Sequence, residues 1–337
     1  MRELPTINEP VTMLNLAPEE VEEISREVRE LAAERNAVIL AHNYQVPEIQ
    51  AAAHYTGDSL GLSRKAAESD ADVIAFCGVH FMAETASILS PEKTVLIPDP
   101  DAGCSLADAI TAEELRAWKA KHGPDAVVVM YVNTSAEVKA ETDYCCTSSN
   151  AVKVVEHILR EHGPDTEILF GPDMWLGSYV EREVGRSLHV WPGECHVHAG
   201  IRPDDIAAQR AAHPDAEFLV HPECGCVTQV MEFVAAGEVE PEGVHMLSTG
   251  QMLDYVQRKP DGEFIVATEN GMLHPLQQAA PAATLVEANR MAYCKYMKMI
   301  TLPKLRDSLR EMKFEVSVPA EIAERARIPI ERMVAIG

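Results

Sequence analysis

The chain has 337 residues, of which 47% are hydrophobic and 24% charged, with a net charge of −24. That composition excludes disorder and collagen-like repetition, and the length suits two or three domains. The acidic excess argues against a nucleic-acid-binding face, and the longest apolar run, 126–132, is far too short to span a membrane.

The first ten residues, MRELPTINEP, lack the charged-then-apolar order of a signal peptide, which points to the cytosol. In a reducing compartment the eight cysteines are not expected to form disulfides. No C-x-x-C pair is present, so a structural zinc site has no sequence support. Any metal ligands must be gathered from distant parts of the chain.

Residues 18–36 carry apolar positions at helical spacing, with Pro18 suited to a first turn. Beyond them one order of elements recurs three times. An apolar strand ends in polar residues (37–45, 125–135, 216–224). A hydroxyl-bearing turn then opens a helix, from Thr56, Cys146 and Leu247. A second strand follows (72–78, 166–172, 263–269), and a third short strand ends near a cysteine (94–104, 187–195, 284–294). His42, Tyr131 and His221 lie 89 and 90 residues apart, Ser59, Ser148 and Ser248 lie 89 and 100 apart, and Cys104, Cys195 and Cys294 lie 91 and 99 apart. A period near 90 is too long for a solenoid unit. It fits three similar small parallel-sheet α/β domains around a pseudo-threefold axis. Their expected limits are 20–112, 113–200 and 201–296, with 297–337 a helical tail packed on the body.

In open parallel sheets, ligands sit outside the carboxyl ends of the strands. Three such ends aimed at one centre would bring one cysteine from each repeat together. Zinc favours four protein ligands, or three that include histidine. A four-iron cluster held by three cysteines keeps one iron open. That open corner suits Lewis-acid dehydration rather than electron transfer. Cys104 and Cys195 sit in turns (DAGC, PGEC), which suits ligands better than inert core residues. Cys77, inside an apolar strand, reads as core. Cys145 and Cys146 are adjacent, a poor geometry for gripping one metal. Cys224 and Cys226 lie near the expected site, and a ligand role for them stays open.

The strand ends repeat an i, i+2 polar pair: His42 with Tyr44, Tyr131 with Asn133, His221 with Glu223. Paired residues share a face of a strand, and burying six polar groups without purpose costs several kcal/mol. His, Tyr and Glu can exchange protons. His196 and His198 follow Cys195 directly. Ser59, Ser148 and the Ser248–Thr249 pair stand where helices begin, as caps or as anion-binding termini. Three such termini around one centre would let an acidic protein hold a substrate carrying carboxylates or phosphate.

The stretches AHNYQ, GDSLGLS, DPDAGCSLAD, MYVNTSAEVKA, WPGECHVH, HPEC, LSTGQM and CKYMKM together resemble the quinolinate synthase family of bacterial NAD biosynthesis, over about residues 36–313. The resemblance implies three related α/β domains and a central [4Fe–4S] cluster held by three cysteines, with one open iron. It implies condensation of iminoaspartate, supplied by an L-aspartate oxidase or dehydrogenase, with dihydroxyacetone phosphate. Phosphate and water are lost as quinolinate forms. Cys104, Cys195 and Cys294 match the cluster ligands. His42, Ser59, Tyr131, Asn133, Ser148, His221, Glu223 and Thr249 match substrate-contacting positions, Tyr44 a tyrosine implicated in proton transfer, and His196 an active-site histidine. From these matches Tyr44, Glu223, His221 and His196 are the expected catalytic groups, and Ser248 shares the anion-binding turn with Thr249. The chain departs from some relatives at Met297, where a further cysteine would permit a disulfide, and in a longer stretch between Glu223 and Ser248. Other classes remain open at this point: a cluster hydro-lyase acting on another small carboxylic acid, a non-catalytic iron–sulfur carrier with Cys224 or Cys226 as fourth ligand, and a zinc hydrolase using Cys195, His196 and His198.

Overall fold

The computed structural model describes residues 14–227, 230–231 and 241–336. The opening decapeptide and part of the longer stretch before Ser248 therefore lie outside the described residues.

Among the described residues twelve strands form three separate sheets of four, all parallel. The first holds β1 (Ala37–His42), β2 (Tyr55–Gly57), β3 (Val73–Cys77) and β4 (Thr94–Leu96). The second holds β5 (Val127–Tyr131), β6 (Tyr144–Cys146), β7 (Ile168–Gly171) and β8 (His189–Val190). The third holds β9 (Glu217–Val220), β10 (Val244–Met246), β11 (Glu263–Ala267) and β12 (Thr284–Glu287). The spatial order is β2-β1-β3-β4, then β6-β5-β7-β8, then β10-β9-β11-β12. One order used three times is the triplication seen in the sequence.

The central strands are apolar apart from their end residues (His42, Tyr131, Glu217 and Glu263) because helices cover both faces. All six residues of β1 and all five of β3 and of β5 are buried. Each sheet contains a strand that the sequence reading lacked. β2, β6 and β10 are three residues long and lie at the start of, or just before, the hydroxyl-bearing turns at Thr56, Cys146 and Leu247; so short an element carries no period. Their placement matters. The chain leaves the first strand to one side and returns to the other, which opens a crevice at the carboxyl end of β1, β5 and β9.

Helix Pro18–Glu34 begins as expected, with Pro18 in its first turn and the Glu20 carboxylate accepting from Ala17 N–H at 2.8 Å. Its buried stripe of Ile24, Val28 and Ala32 faces the body, and it packs against helix Leu302–Glu311. The tail is helical as expected, in segments Leu302–Glu311 and Ala320–Ile336. It also does something the sequence did not signal. Residues 314–316 run antiparallel beside β4, through Ile97 N–H to Phe314 O and Val316 N–H to Val95 O. Helix Ala320–Ile336 then bridges the first two repeats: Arg64 donates to Val334 O at 2.9 Å and Asn150 to Met333 O at 3.0 Å.

Cys77, Cys145 and Cys146 are buried in strands, as core residues. The expectation of no disulfides needs correction at one place. Cys224 and Cys226 flank Gly225 in a tight turn, and the structure joins their sulfurs. A Cys-Gly-Cys turn brings two side chains together across one small residue, whatever the compartment. Both sulfurs sit in an apolar cluster with Val197, Ile201 and Val220, and, joined to each other, neither is free to serve as a fourth ligand.

Candidate active site

The carboxyl ends of all three sheets open on one cavity of about 660 Å³, part of it open to solvent. His42, Tyr44, Ser59, Tyr131, Asn133, Ser148, His221, Glu223 and Thr249 line it, together with Cys104, Cys195 and Cys294. Residues separated by up to 252 positions thus meet in one place. Two expected residues stand outside the lining. Ser248 caps helix Thr249–Arg258, with its hydroxyl 3.4 Å from Gln251 N and the Gln251 side chain returning to Ser248 N–H at 2.9 Å. That leaves Thr249 to face the cavity. His196 turns away, its Nδ1 2.6 Å from Ser105 Oγ and its ring edge-on to Tyr296.

The three cysteines are alike in setting. Cys195 and Cys294 are the N-cap residues of short helices, His196–Ala199 and Lys295–Lys298, and Cys104 precedes a turn of 3₁₀ helix, Ala107–Ala109. Each sulfur receives backbone N–H groups from the turn that follows it: Ala107 and Leu106 for Cys104, His198 for Cys195, Met297 and Tyr296 for Cys294. Such N–H···S bonds favour a thiolate and tune iron–sulfur centres. Burial opposes them, pushing Cys104 up to about 12 and Cys294 to about 11, and raising Cys195 as well. Three buried sulfurs with ready N–H donors and a strong bias against ionisation suit a cationic metal group, which supplies the missing charge. The donor set therefore fits an iron–sulfur cluster held by three thiolates.

Two carboxylates hold the cysteine backbones, and the sequence reading missed both. Asp173, just after β7, accepts from Cys195 N–H at 3.3 Å and from Trp175 and Leu176 N–H at 2.7 and 2.9 Å. Glu269, just after β11, accepts from Cys294 N–H at 2.9 Å and from Gly271 N–H at 2.7 Å. Glu269 is also 2.8 Å from the Lys298 ammonium, each side chain 1% exposed, and Lys298 in turn donates to Tyr44 O. Val79 stands at the corresponding place after β3, so the first repeat lacks this device. The signal was available: an acid recurs in GPD (171–173) and TEN (268–270) at the ends of equivalent strands.

Facing the cysteines is a cluster of proton-carrying groups. Tyr131 OH donates to Glu223 Oε1. His221 Nδ1 lies 3.6 Å from the same oxygen, and His198 Nε2 lies 4.0 Å from Oε2. The His198 and His221 rings stack at 4.7 Å. Tyr44 OH lies 2.6 Å from Thr268 Oγ1 and 3.4 Å from His198 Nε2. Ser148 Oγ is 3.1 Å from His221 Nε2, and Asn43 donates to Thr249 Oγ1 at 3.0 Å. Burial holds His42 and His198 down to about 3 and His221 well below its ordinary value, so all three imidazoles are neutral at pH 7. Burial raises Glu223 to about 7 and lifts Tyr44 and Tyr131. Glu223 is therefore the carboxyl able to take or give a proton near neutrality. Cys195, His198 and Glu223 also place one ligand atom each within 4.8 Å of the others. Asn133 Oδ1 and His198 Nδ1 are buried without a hydrogen-bond partner, which marks them as places for a ligand to donate or accept.

The hydroxyl turns depart from the expectation in two repeats: Ser148 stands three residues ahead of helix Ala151–His162, whose cap position is Asn150. Ser59 opens helix Ser59–Glu68, but the cap itself is Asp58, which accepts from Gly61 N–H at 2.8 Å and also lines the cavity. Burial raises the Asp58 carboxyl, which lessens its repulsion of an anion.

The sequence model of the quinolinate synthetase A protein family matches residues 26–335. The chain belongs to this family. A quinolinate synthase of Mycobacterium sp. strain KMS is 56% identical over 317 residues, 94% of this chain and 93% of its own length. Those of Mycobacterium tuberculosis strain H37Rv and Mycolicibacterium paratuberculosis strain K-10 are 57% identical over 312 residues, 92% of this chain and 88% of their own. Membership of the quinolinate synthetase family assigns the chain to NAD biosynthesis. Among the described residues no helix is long and apolar enough to cross a membrane.

Proposed function

We propose that the chain is a cytosolic quinolinate synthase that condenses iminoaspartate with dihydroxyacetone phosphate, releasing phosphate and water. One observation carries the reading: Cys104, Cys195 and Cys294, one from each repeat, line the same cavity as Tyr44, Tyr131, His221 and Glu223. A [4Fe–4S] cluster on those three sulfurs would leave one iron open and supply Lewis acidity for loss of a hydroxyl. The repeats on which this rests are taken as 20–112, 113–200 and 201–296, with 297–337 packed across them. An L-aspartate oxidase or dehydrogenase would supply the unstable imine.

The remaining chemistry belongs to the side chains. Glu223 holds a proton at Oε1 or Oε2 near neutral pH and passes it to or from the substrate. Tyr131 and His221 fix its orientation. Tyr44 stands on the other side of His198 as a second proton carrier, set by Thr268. Neutral His42 and His221 donate or accept hydrogen bonds without adding charge. Ser59, Ser148 and Thr249 offer hydroxyls, and the helix starting at Ser59 adds free N–H groups, for the substrate carboxylates and phosphate. Asn133 supplies an unpaired acceptor. His196 acts from behind, holding Ser105 beside Cys104.

The deciding experiment is anaerobic reconstitution with iron and sulfide, then incubation with enzymatically generated iminoaspartate and dihydroxyacetone phosphate. Stoichiometric quinolinate and phosphate support the reading. A loaded protein that releases neither is a hydro-lyase for another acid or a carrier. Zinc without labile sulfide in anaerobically purified protein would instead favour a single ion on Cys195, His198 and Glu223.

A further inference from the structure

We propose that His122, Glu167 and His189 form a second metal site, separate from the cavity, that binds one divalent transition ion of the zinc class. The three come from different elements of the second repeat. His122 ends helix Ala112–His122, Glu167 immediately precedes β7, and His189 is the first residue of β8. His122 Nδ1 and His189 Nε2 each lie 2.8 Å from the same carboxylate oxygen, Glu167 Oε1. One ligand atom from each lies within 4.8 Å of the other two. Two imidazoles and one carboxylate are a preferred zinc donor set that leaves a position for water. Tetrahedral coordination at about 2.0–2.1 Å separates ligand atoms by roughly 3.3 Å, so each nitrogen must retreat from the oxygen by only about half an ångström. His189 and Glu167 are 46% and 41% exposed and His122 is 20% exposed, which leaves room for that change without moving the backbone.

The backbone under the site is already fixed. The Glu167 carbonyl accepts from Val127 N–H at 2.9 Å, and His189 is in register with Leu169. The His122 ring is held edge-on by Trp118 at 6.1 Å and lies 4.3 Å from the His189 ring. Ligands carried on rigid elements need little reorganisation to bind.

The third repeat supplies an internal comparison. There His213, just after helix Pro203–Ala212, lies 2.6 Å from Oε1 of Glu263, the first residue of β11. This repeats the His122–Glu167 pair. On the neighbouring strand, however, the residue in the register of His189 is Val286, opposite Ile265 as His189 is opposite Leu169. A histidine–glutamate pair therefore serves as a link from helix end to strand start in both repeats, and only the second repeat adds the third ligand. The site lies at the amino ends of β7 and β8, the opposite end from the cavity, so a bound ion clamps the sheet and takes no part in the reaction.

The test uses cluster-loaded protein, dialysed anaerobically against buffered zinc, with zinc and iron counted together by mass spectrometry. The wild type is compared with His189→Ala, Glu167→Gln and the third-repeat control His213→Ala. Loss of an outer-shell partner of a metal already costs 10–100-fold in affinity, so loss of a ligand should cost about 100-fold or more. The expected result is one zinc per chain in wild type and in His213→Ala, and at least that weakening in the other two, with iron content and quinolinate formation unchanged in all four. Equal zinc in wild type and His189→Ala, or no zinc in wild type at micromolar free ion, overturns the proposal. Any zinc taken by the cavity thiols is common to all four proteins and drops out of the comparison.

Discussion

The Glu269–Lys298 pair offers the sharpest test of how the third repeat is built around Cys294. Both side chains are 1% exposed and their charged atoms are 2.8 Å apart. Glu269→Gln keeps the shape and one acceptor oxygen for Cys294 N–H, but leaves the Lys298 ammonium buried without its counter-ion. Breaking a buried pair from one side costs about 3–5 kcal/mol, against a stability of order 5–15 kcal/mol for a folded domain. The single variant should therefore fold but unfold at clearly lower denaturant. Adding Lys298→Met removes the orphaned charge. What remains is an imperfect hydrogen bond to Gly271 N–H and a Tyr44 carbonyl without its ammonium donor, so the double variant should be more stable than Glu269→Gln while staying about 1–3 kcal/mol below wild type. The assay is anaerobic urea unfolding of the cluster-free protein with thiols kept reduced. A double variant no more stable than Glu269→Gln would show that the pair does not act as a buried ion pair and would refute the reasoning.

Three further outcomes follow from the same geometry. Tyr44→Phe removes one hydroxyl and no charge, so it should retain the cluster's visible absorbance while turnover falls about 10²–10⁴-fold, the range for a lost acid–base group; unchanged turnover would remove Tyr44 from the chemistry. The folded-state value of Glu223 is raised to about 7, so as pH rises through the unfolded carboxylate range towards 7 the folded state retains a proton that the unfolded chain gives up, and stability declines. Glu223→Gln should thus raise the melting temperature of cluster-free protein at pH 8 and change it little at pH 4, while abolishing turnover; equal shifts at both pH values would contradict the buried-carboxyl account. Asp173→Asn keeps one acceptor but puts an amide against three N–H donors, so cluster content should fall with the Cys195 turn, whereas Val79→Ala at the equivalent place in the first repeat should leave it unchanged.

Much of this arrangement was legible in the residues because triplication multiplies weak signals. A single serine before a helix or a single cysteine in a turn says little, but three at a spacing near 90 residues place strand ends, hydroxyls and thiols on equivalent positions. The four-stranded sheets were only partly legible. β2, β6 and β10 span one or two turns of alternation, and their pairing is fixed by the neighbouring strand rather than by their own sequence. The division between Ser248 and Thr249 depended on which residue takes the cap conformation, since either hydroxyl can satisfy an N–H group. Asp58, Asp173 and Glu269 escaped because a lone acid in a loop usually faces water; the role of Asp173 and Glu269 emerges only when the cysteine amides they hold are brought beside them, and that of Asp58 only when its helix start is turned into the cavity. The Cys224–Cys226 pair went against expectation because compartment is a weak guide for two sulfurs one residue apart.

The central claim is that three sulfurs from three repeats hold a four-iron cluster whose remaining iron meets the substrate. Mössbauer spectroscopy of protein reconstituted with ⁵⁷Fe, before and after adding quinolinate, reads this directly. The account predicts four irons per chain, one of which shifts when the ligand binds while the other three do not. Four irons that all stay unchanged at saturating quinolinate, or a spectrum without a cubane cluster, would contradict it.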